Sequence, residues 1–228
     1  MTPWNASPVP SRAPRRGFFA LAALLLLRLG FDYAEREGIR RAALTYSLAS
    51  VEAMMNVITF VDVVLGLGVV IALLVLCLAP RSARVTFPAQ IAATLAALGV
   101  LIRGGMHLLL SSGAFRGGGG GTAVARYVVI VATLVDIAGG ALLLLVIARV
   151  THAAKARVAL SFAIVALVLV FARLTAYALT AFVGEVPVTL ETLDLVQGWT
   201  FLVYEALLVW LCVHAGVVVT RIPDDLSV

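Results

Sequence analysis

Read from its N-terminus, the chain alternates long apolar runs with short charged or glycine-rich breaks, and the runs lack the alternation of a half-buried strand. Residues 17–29 (GFFALAALLLLRL) form a first, short run behind Arg12, Arg15 and Arg16. Residues 32–41 (DYAEREGIRR) are charged, and 42–79 then continue for 38 residues without Pro, Lys or Arg. As one helix that stretch is roughly 57 Å long, about twice a bilayer. Between Ser50 and Leu65 no Gly or Pro offers a turn. The pattern therefore predicts one long second helix whose first part, 42–55, projects beyond the hydrocarbon. Four clearer runs follow, at 87–111, 126–148, 157–183 and 195–219.

A run of about 20 apolar residues crosses a bilayer as a helix, because no water is present there to satisfy the backbone. The expected fold is thus all-α, a polytopic transmembrane helix bundle of six spans, or seven if 42–79 folds back. Residues 1–16 read as a disordered basic cytoplasmic arm, 17–220 as the bundle and 221–228 as a short cytoplasmic tail. A signal-peptide reading of 17–29 lacks a small-x-small cleavage site. A retained first span with Arg28 snorkelling to the interface fits better.

Composition agrees: 62% of residues are hydrophobic and 13% charged, and mean hydropathy is +1.08, which excludes an ordinary soluble domain. The net charge of +5 does not point to nucleic acid, since the basic residues gather at span ends. With six spans and an inner N-terminus, nine Lys/Arg lie inside and five outside. Seven spans give the same bias, and both place the C-terminus in the cytoplasm. The sequon Asn5-Ala6-Ser7 separates the two, being usable only in the seven-span topology. Cys77 and Cys212 sit in apolar runs as packing residues. The glycine run 117–121 is a flexible linker, because no Lys-Ser/Thr follows to make a phosphate loop.

No metalloprotease, redox or nucleophile-elbow motif is present, and no lysine falls within a span. No metal and no cofactor is expected. What remains is a set of ionisable residues at membrane depth, each costing about 2.5–3.5 kcal/mol if it faces lipid. They should point inward and pair. Arg103 and His107 share a helix face, as do Arg173, Tyr177 and Thr180. Glu205 lies centrally in the last run beside Tyr204, flanked by Trp199 and Trp210; Asp136 precedes Gly139 and Gly140. Thr45, Glu52, Asn56 and Thr59 line one side of the second helix, with Asp62 beside them. For Asp62 and Asp136 interhelical glue is as good a reading as function. His107 and His214 read as hydrogen-bonded fillers, since neither has a second metal ligand spaced beside it.

From about residue 85 onward the chain resembles fungal RTA1-like, lipid-translocating multi-helix proteins. The stretches that carry the resemblance are Leu101-Ile102-Arg103-Gly104-Gly105, Phe171-Ala172-Arg173-Leu174-Thr175-Ala176-Tyr177 and Trp199-Thr200-Phe201-Leu202-Val203-Tyr204-Glu205. The chain departs from that family in lacking one or two helices between Arg149 and Arg157, and its Arg173–Tyr177 spacing is one residue longer. The resemblance implies a seven-helix-like protein that handles a lipid or toxicant.

Three functions compete. The first is binding or translocation of a lipid-like, amphiphilic small molecule by Arg103, His107, Arg173, Tyr177, Tyr204, Glu205 and Trp210, the arginines holding an anionic head group. The second is an intramembrane enzyme in which Glu205, Asp136 or Glu52 donates a proton to an apolar, terpenoid-like substrate. The third is a non-catalytic scaffold. The expected partners are the bilayer, a lipid-like molecule and, compatibly, further copies of the chain.

Overall fold

The computed structural model describes residues 12–45, 48–79, 83–111, 120–156, 161–166, 168–169 and 190–222, with side chains at 12–34, 38, 56–79, 83–105, 128, 130–156, 161–166, 168–169, 199 and 202–222. All regular structure among them is helical: α1 (Ala13–Thr45), α2 (Leu48–Leu76), α3 (Thr86–Ser111), α4 (Gly120–Ala153), α5 (161–166 and 168–169) and α6 (Leu190–Val218), followed by a 3₁₀ turn, Val219–Arg221. Five of these helices hold segments long and apolar enough to cross a membrane: Ala13–Ala34, Asn56–Leu76, Thr86–Gly105, Ile130–Ala153 and Leu202–Arg221. The expected span at 157–183 falls mostly outside the described residues.

Three boundaries differ from the sequence reading. α1 starts at Ala13, inside the expected arm, because Pro14 is tolerated in a first turn where its missing N–H has no acceptor to serve. It then continues through the charged stretch to Thr45, 33 residues in all, or about 50 Å. Asp32/Arg36 and Glu37/Arg41, each four apart, favour the helix there. The second long helix accordingly begins at Leu48 rather than at residue 42.

The helices form a ring in which α1 packs on α2 and α6, α2 on α3, α3 on α4, and a lighter α4–α6 contact closes the circle. Glycines mark the close approaches. A Cβ at Gly17 would lie 2.9 Å from Leu76 Cδ2, and one at Gly216 would lie 3.2 Å from Phe18 Cβ. These contacts fix direction: α1 is antiparallel to both α2 and α6. Gly99 against Asp136, Gly139 against Leu95 and the Arg149–Arg84 bond make α3 and α4 antiparallel; the ends of α4 and α6 then both lie beside the start of α1, so those two helices run parallel. The core is apolar, with Phe18, Leu21, Leu76, Ile147 and Leu211 fully enclosed, while Leu101, Phe60 and Ile71 face outward, as a lipid-facing surface requires.

α4 ends in a Schellman arrangement: Ala156 N–H donates to Thr151 O at 2.8 Å and Lys155 N–H to His152 O at 2.9 Å. Lys155 therefore takes a left-handed backbone, φ 55°. At the same end Arg149 Nη1 donates to Arg84 O at 2.6 Å, tying α4 to the α2–α3 connection.

Candidate functional site

Four ionisable side chains lie within about one residue of the middle of their helices: Arg28 in α1, Asp62 in α2, Asp136 in α4 and Glu205 in α6. Arg103 of α3 joins them. The ring thus brings one charged residue from each of five helices to the same depth, where all five line a single cavity of about 100 Å³.

The arginines and aspartates form a continuous chain. Arg103 Nη1 lies 2.6 Å from Asp136 Oδ2, its Nε lies 3.8 Å from Asp62 Oδ2, and Arg28 Nη2 lies 3.8 Å from the same Asp136 Oδ2. One carboxylate oxygen of α4 therefore serves guanidiniums from two other helices. Arg28 is also within electrostatic reach of Glu205, Asp32 and Asp62. Arg28 Nε, buried in the lining, has no hydrogen-bond partner among the described residues. A water can serve such a donor, and the cavity has room for several.

Small residues make this geometry fit. A Cβ on Gly99 would come within 3.1 Å of Asp136 Oδ1 and 3.5 Å of Arg103 Nη2. A Cβ on Gly140 would lie 2.5 Å from Tyr204 Oη. The Tyr204 hydroxyl is thus seated against bare α4 backbone, and its ring is buried. Glu205 and Thr151 are the two buried polar or charged residues among those described.

Of the residues expected at the site, Arg103, Tyr204 and Glu205 line the cavity together, with Asp136. Trp210 does not. It is half-exposed, stacks on His214 at 5.5 Å and meets Phe162 of α5 edge-on at 4.9 Å. His214 Nε2 is buried without a hydrogen-bond partner among the described residues, so the ring packs on Trp210 instead of filling a polar contact. Arg173 and Tyr177 lie outside the described residues, as do the side chains of His107 and Glu52. No cluster of three metal-ligating side chains occurs among the described residues.

The sequence reading misplaced one member. Arg28 does not snorkel; its head points into the cavity, because α1 continues to Thr45 and leaves Arg28 at mid-helix. Asp62, weighed equally as interhelical glue and as function, pairs across to Arg103 of α3 and also lines the cavity. The signal for Arg28 was its distance from either end of a long uninterrupted helix.

An anion entering the cavity would compete with Asp136 for Arg103, whereas a neutral or cationic polar group meets carboxylates directly. No protein-family model matches this chain, and neither a curated protein nor a solved structure matches it.

Proposed function

We propose that this chain is a multi-pass membrane protein that binds or translocates a lipid-like or amphiphilic small molecule, whose polar head enters the charged cavity. One observation carries the reading: five helices each bring an ionisable side chain to one shared interior chamber, beyond what isolated pairs would need. Interhelical polar glue contributes only about 0.6 kcal/mol per pair on average, too little to account for five ionisable groups at one depth. A cavity of about 100 Å³ takes a head group or a few waters, which leaves an acyl or isoprenoid tail to the surrounding hydrocarbon. Two of the stretches that resemble RTA1-like proteins contribute to this lining through Arg103, Tyr204 and Glu205.

Helix direction supports six crossings. α4 and α6 run parallel, which is what a further crossing between Ala156 and Leu190 would produce, and the start of α1 and the end of α6 share one face. That face carries Arg12, Arg15, Arg16, Arg84, Arg149, Lys155 and Arg221, with no Asp or Glu among the described residues. The opposite half mixes Arg36, Arg40, Arg41 and Arg126 with Asp32, Glu35, Glu37, Glu52, Glu191 and Asp194. The bias supports a cytoplasmic C-terminus.

The test is co-purification. The full chain in lipid nanodiscs, analysed by native mass spectrometry, should retain an amphiphile that Arg103→Ala and Asp136→Asn release. Equal retention by both folded variants removes the binding role. Glu205, buried beside Tyr204, keeps an enzymatic reading in play: a released product that disappears in Glu205→Gln replaces translocation with acid catalysis.

A further inference from the structure

The start of α1, the connection from α2 to α3 and the ends of α4 and α6 meet at one end of the bundle. The seven described arginine and lysine side chains they supply are all exposed. These cations stand at the edges of the apolar segments rather than far out in water. Arg15 and Arg16 lie in the first turn of Ala13–Ala34, and Arg84 just precedes Thr86–Gly105. Arg149 and Lys155 bracket the end of Ile130–Ala153, and Arg221 closes Leu202–Arg221. That is the depth of a phospholipid head group. The ion pairs among the described residues all belong to the cavity, so none of the seven is paired with a described carboxylate. Outside the described residues the sequence holds three acids, Glu185, Asp224 and Asp225, against four arginines. Counting them leaves the positive excess in place.

Two features turn this charge toward an anion. Arg149 Nη1 donates to Arg84 O at 2.6 Å, which brings two arginines from separate segments together. Most of the N–H groups of the Arg149 guanidinium are left for another acceptor. In addition, Arg15 and Arg16 occupy the first turn of α1, and Arg84 the approach to α3. Helix N-termini carry free N–H groups and a dipole that disfavour cations and favour an anion. A phosphate there satisfies the arginines and the helix ends together. Aromatic rings lie beside these cations: Arg15 covers the Phe19 ring at 5.6 Å, and Phe87, in the first turn of α3, is 71% exposed.

We propose that this end of the bundle binds the head groups of acidic phospholipids, with Arg84 and Arg149 as the principal phosphate seat. A zwitterionic phospholipid carries its own ammonium beside the phosphate and gains less from the cluster. A soluble anion makes the charge contact without acyl chains to lie against Phe87. The surface is separate from the central cavity, and the proposal does not depend on what the cavity binds.

The experiment places the full chain in nanodiscs of phosphatidylcholine with a minor fraction of phosphatidylglycerol. Native mass spectrometry then counts the lipids that stay bound once the disc is stripped. Wild-type protein should hold phosphatidylglycerol well above its share of the disc. One cation near a charged lipid surface changes association by about fivefold, so Arg84→Gln/Arg149→Gln should lower the enrichment by at least that factor. Arg149 also ties α4 to the α2–α3 connection, so Arg15→Gln/Arg16→Gln, which leaves that bond intact, should lower it too and decides the matter if the first variant does not fold. Arg36→Gln/Arg40→Gln, near the other end of α1, should leave it unchanged. No enrichment in the wild type, or enrichment that survives in the folded Arg84/Arg149 and Arg15/Arg16 variants, overturns the proposal. An equal loss in Arg36→Gln/Arg40→Gln overturns it as well, since net charge alone would then be read. Loss in Asp136→Asn with retention in the other variants moves the lipid to the cavity. Binding of inorganic phosphate in pure phosphatidylcholine discs, without phosphatidylglycerol enrichment, makes the ligand a soluble anion instead.

Discussion

Arg103 of α3 and Asp136 of α4 meet at 2.6 Å across a helix interface that Gly99 keeps open, and the same Asp136 oxygen also draws Arg28 from α1. Three helices are joined at one atom. Removing a single partner breaks a charge network shared by several helices, whereas removing two opposite charges leaves its net charge unchanged.

Arg103→Ala and Asp136→Ala are each expected to destabilise the bundle by about 3–5 kcal/mol. The double variant should lose clearly less than the sum of the two. Reversible unfolding in mixed micelles measures all three; strict additivity would show that the pair carries no coupling.

Gly140→Ala sets a methyl 2.5 Å from the Tyr204 hydroxyl, and overpacking of this kind costs about 1–3 kcal/mol. Tyr204→Phe removes the offending oxygen. The Gly140→Ala/Tyr204→Phe variant should therefore regain most of the thermal stability lost in the single glycine variant. Absence of any rescue would separate Tyr204 from α4.

Cys77 lies just past the end of α2, with Sγ 3.8 Å from Leu73 O and 3.9 Å from Thr86 O. Desolvation pushes its thiol up from the ordinary value, outweighing an opposing backbone hydrogen bond. The thiolate is the reactive form, so alkylation at neutral pH should be slower than for a free thiol. The rate should keep rising with pH beyond the point where free cysteine levels off. Cys212, fully enclosed in α6, should label only on unfolding. Rapid Cys77 labelling at pH 7 contradicts the described packing.

Reporter fusions at the N- and C-termini should give the same sidedness, since the start of α1 and the end of α6 lie at one end of the bundle. With that end cytoplasmic, Asn5 stays unglycosylated. Opposite readings for the two termini would require a different path between α4 and α6.

Lys155 holds a left-handed backbone at the end of α4, where a side chain costs roughly 1–2 kcal/mol. Lys155→Gly should raise the unfolding midpoint, and a drop would mean that its ammonium contributes more than the backbone strain.

Much of this architecture follows from hydropathy along one dimension. Apolar runs of bilayer length admit only helices when backbone groups have no water to bond. The charges within them had to turn inward, so Arg103, Asp136, Tyr204 and Glu205 were recognisable as candidates from position alone. Helix ends were harder to read. Local pairs such as Asp32/Arg36 let a helix continue past its apolar segment, so hydropathy ends the first run too early and misassigns Arg28. Partners were beyond reach altogether. Sequence spacing relates residues on one helix, but which helices adjoin, and at what height, depends on packing at glycines such as Gly99 and Gly140. That packing brings Arg28, Asp62, Arg103, Asp136 and Glu205 from five helices into one chamber.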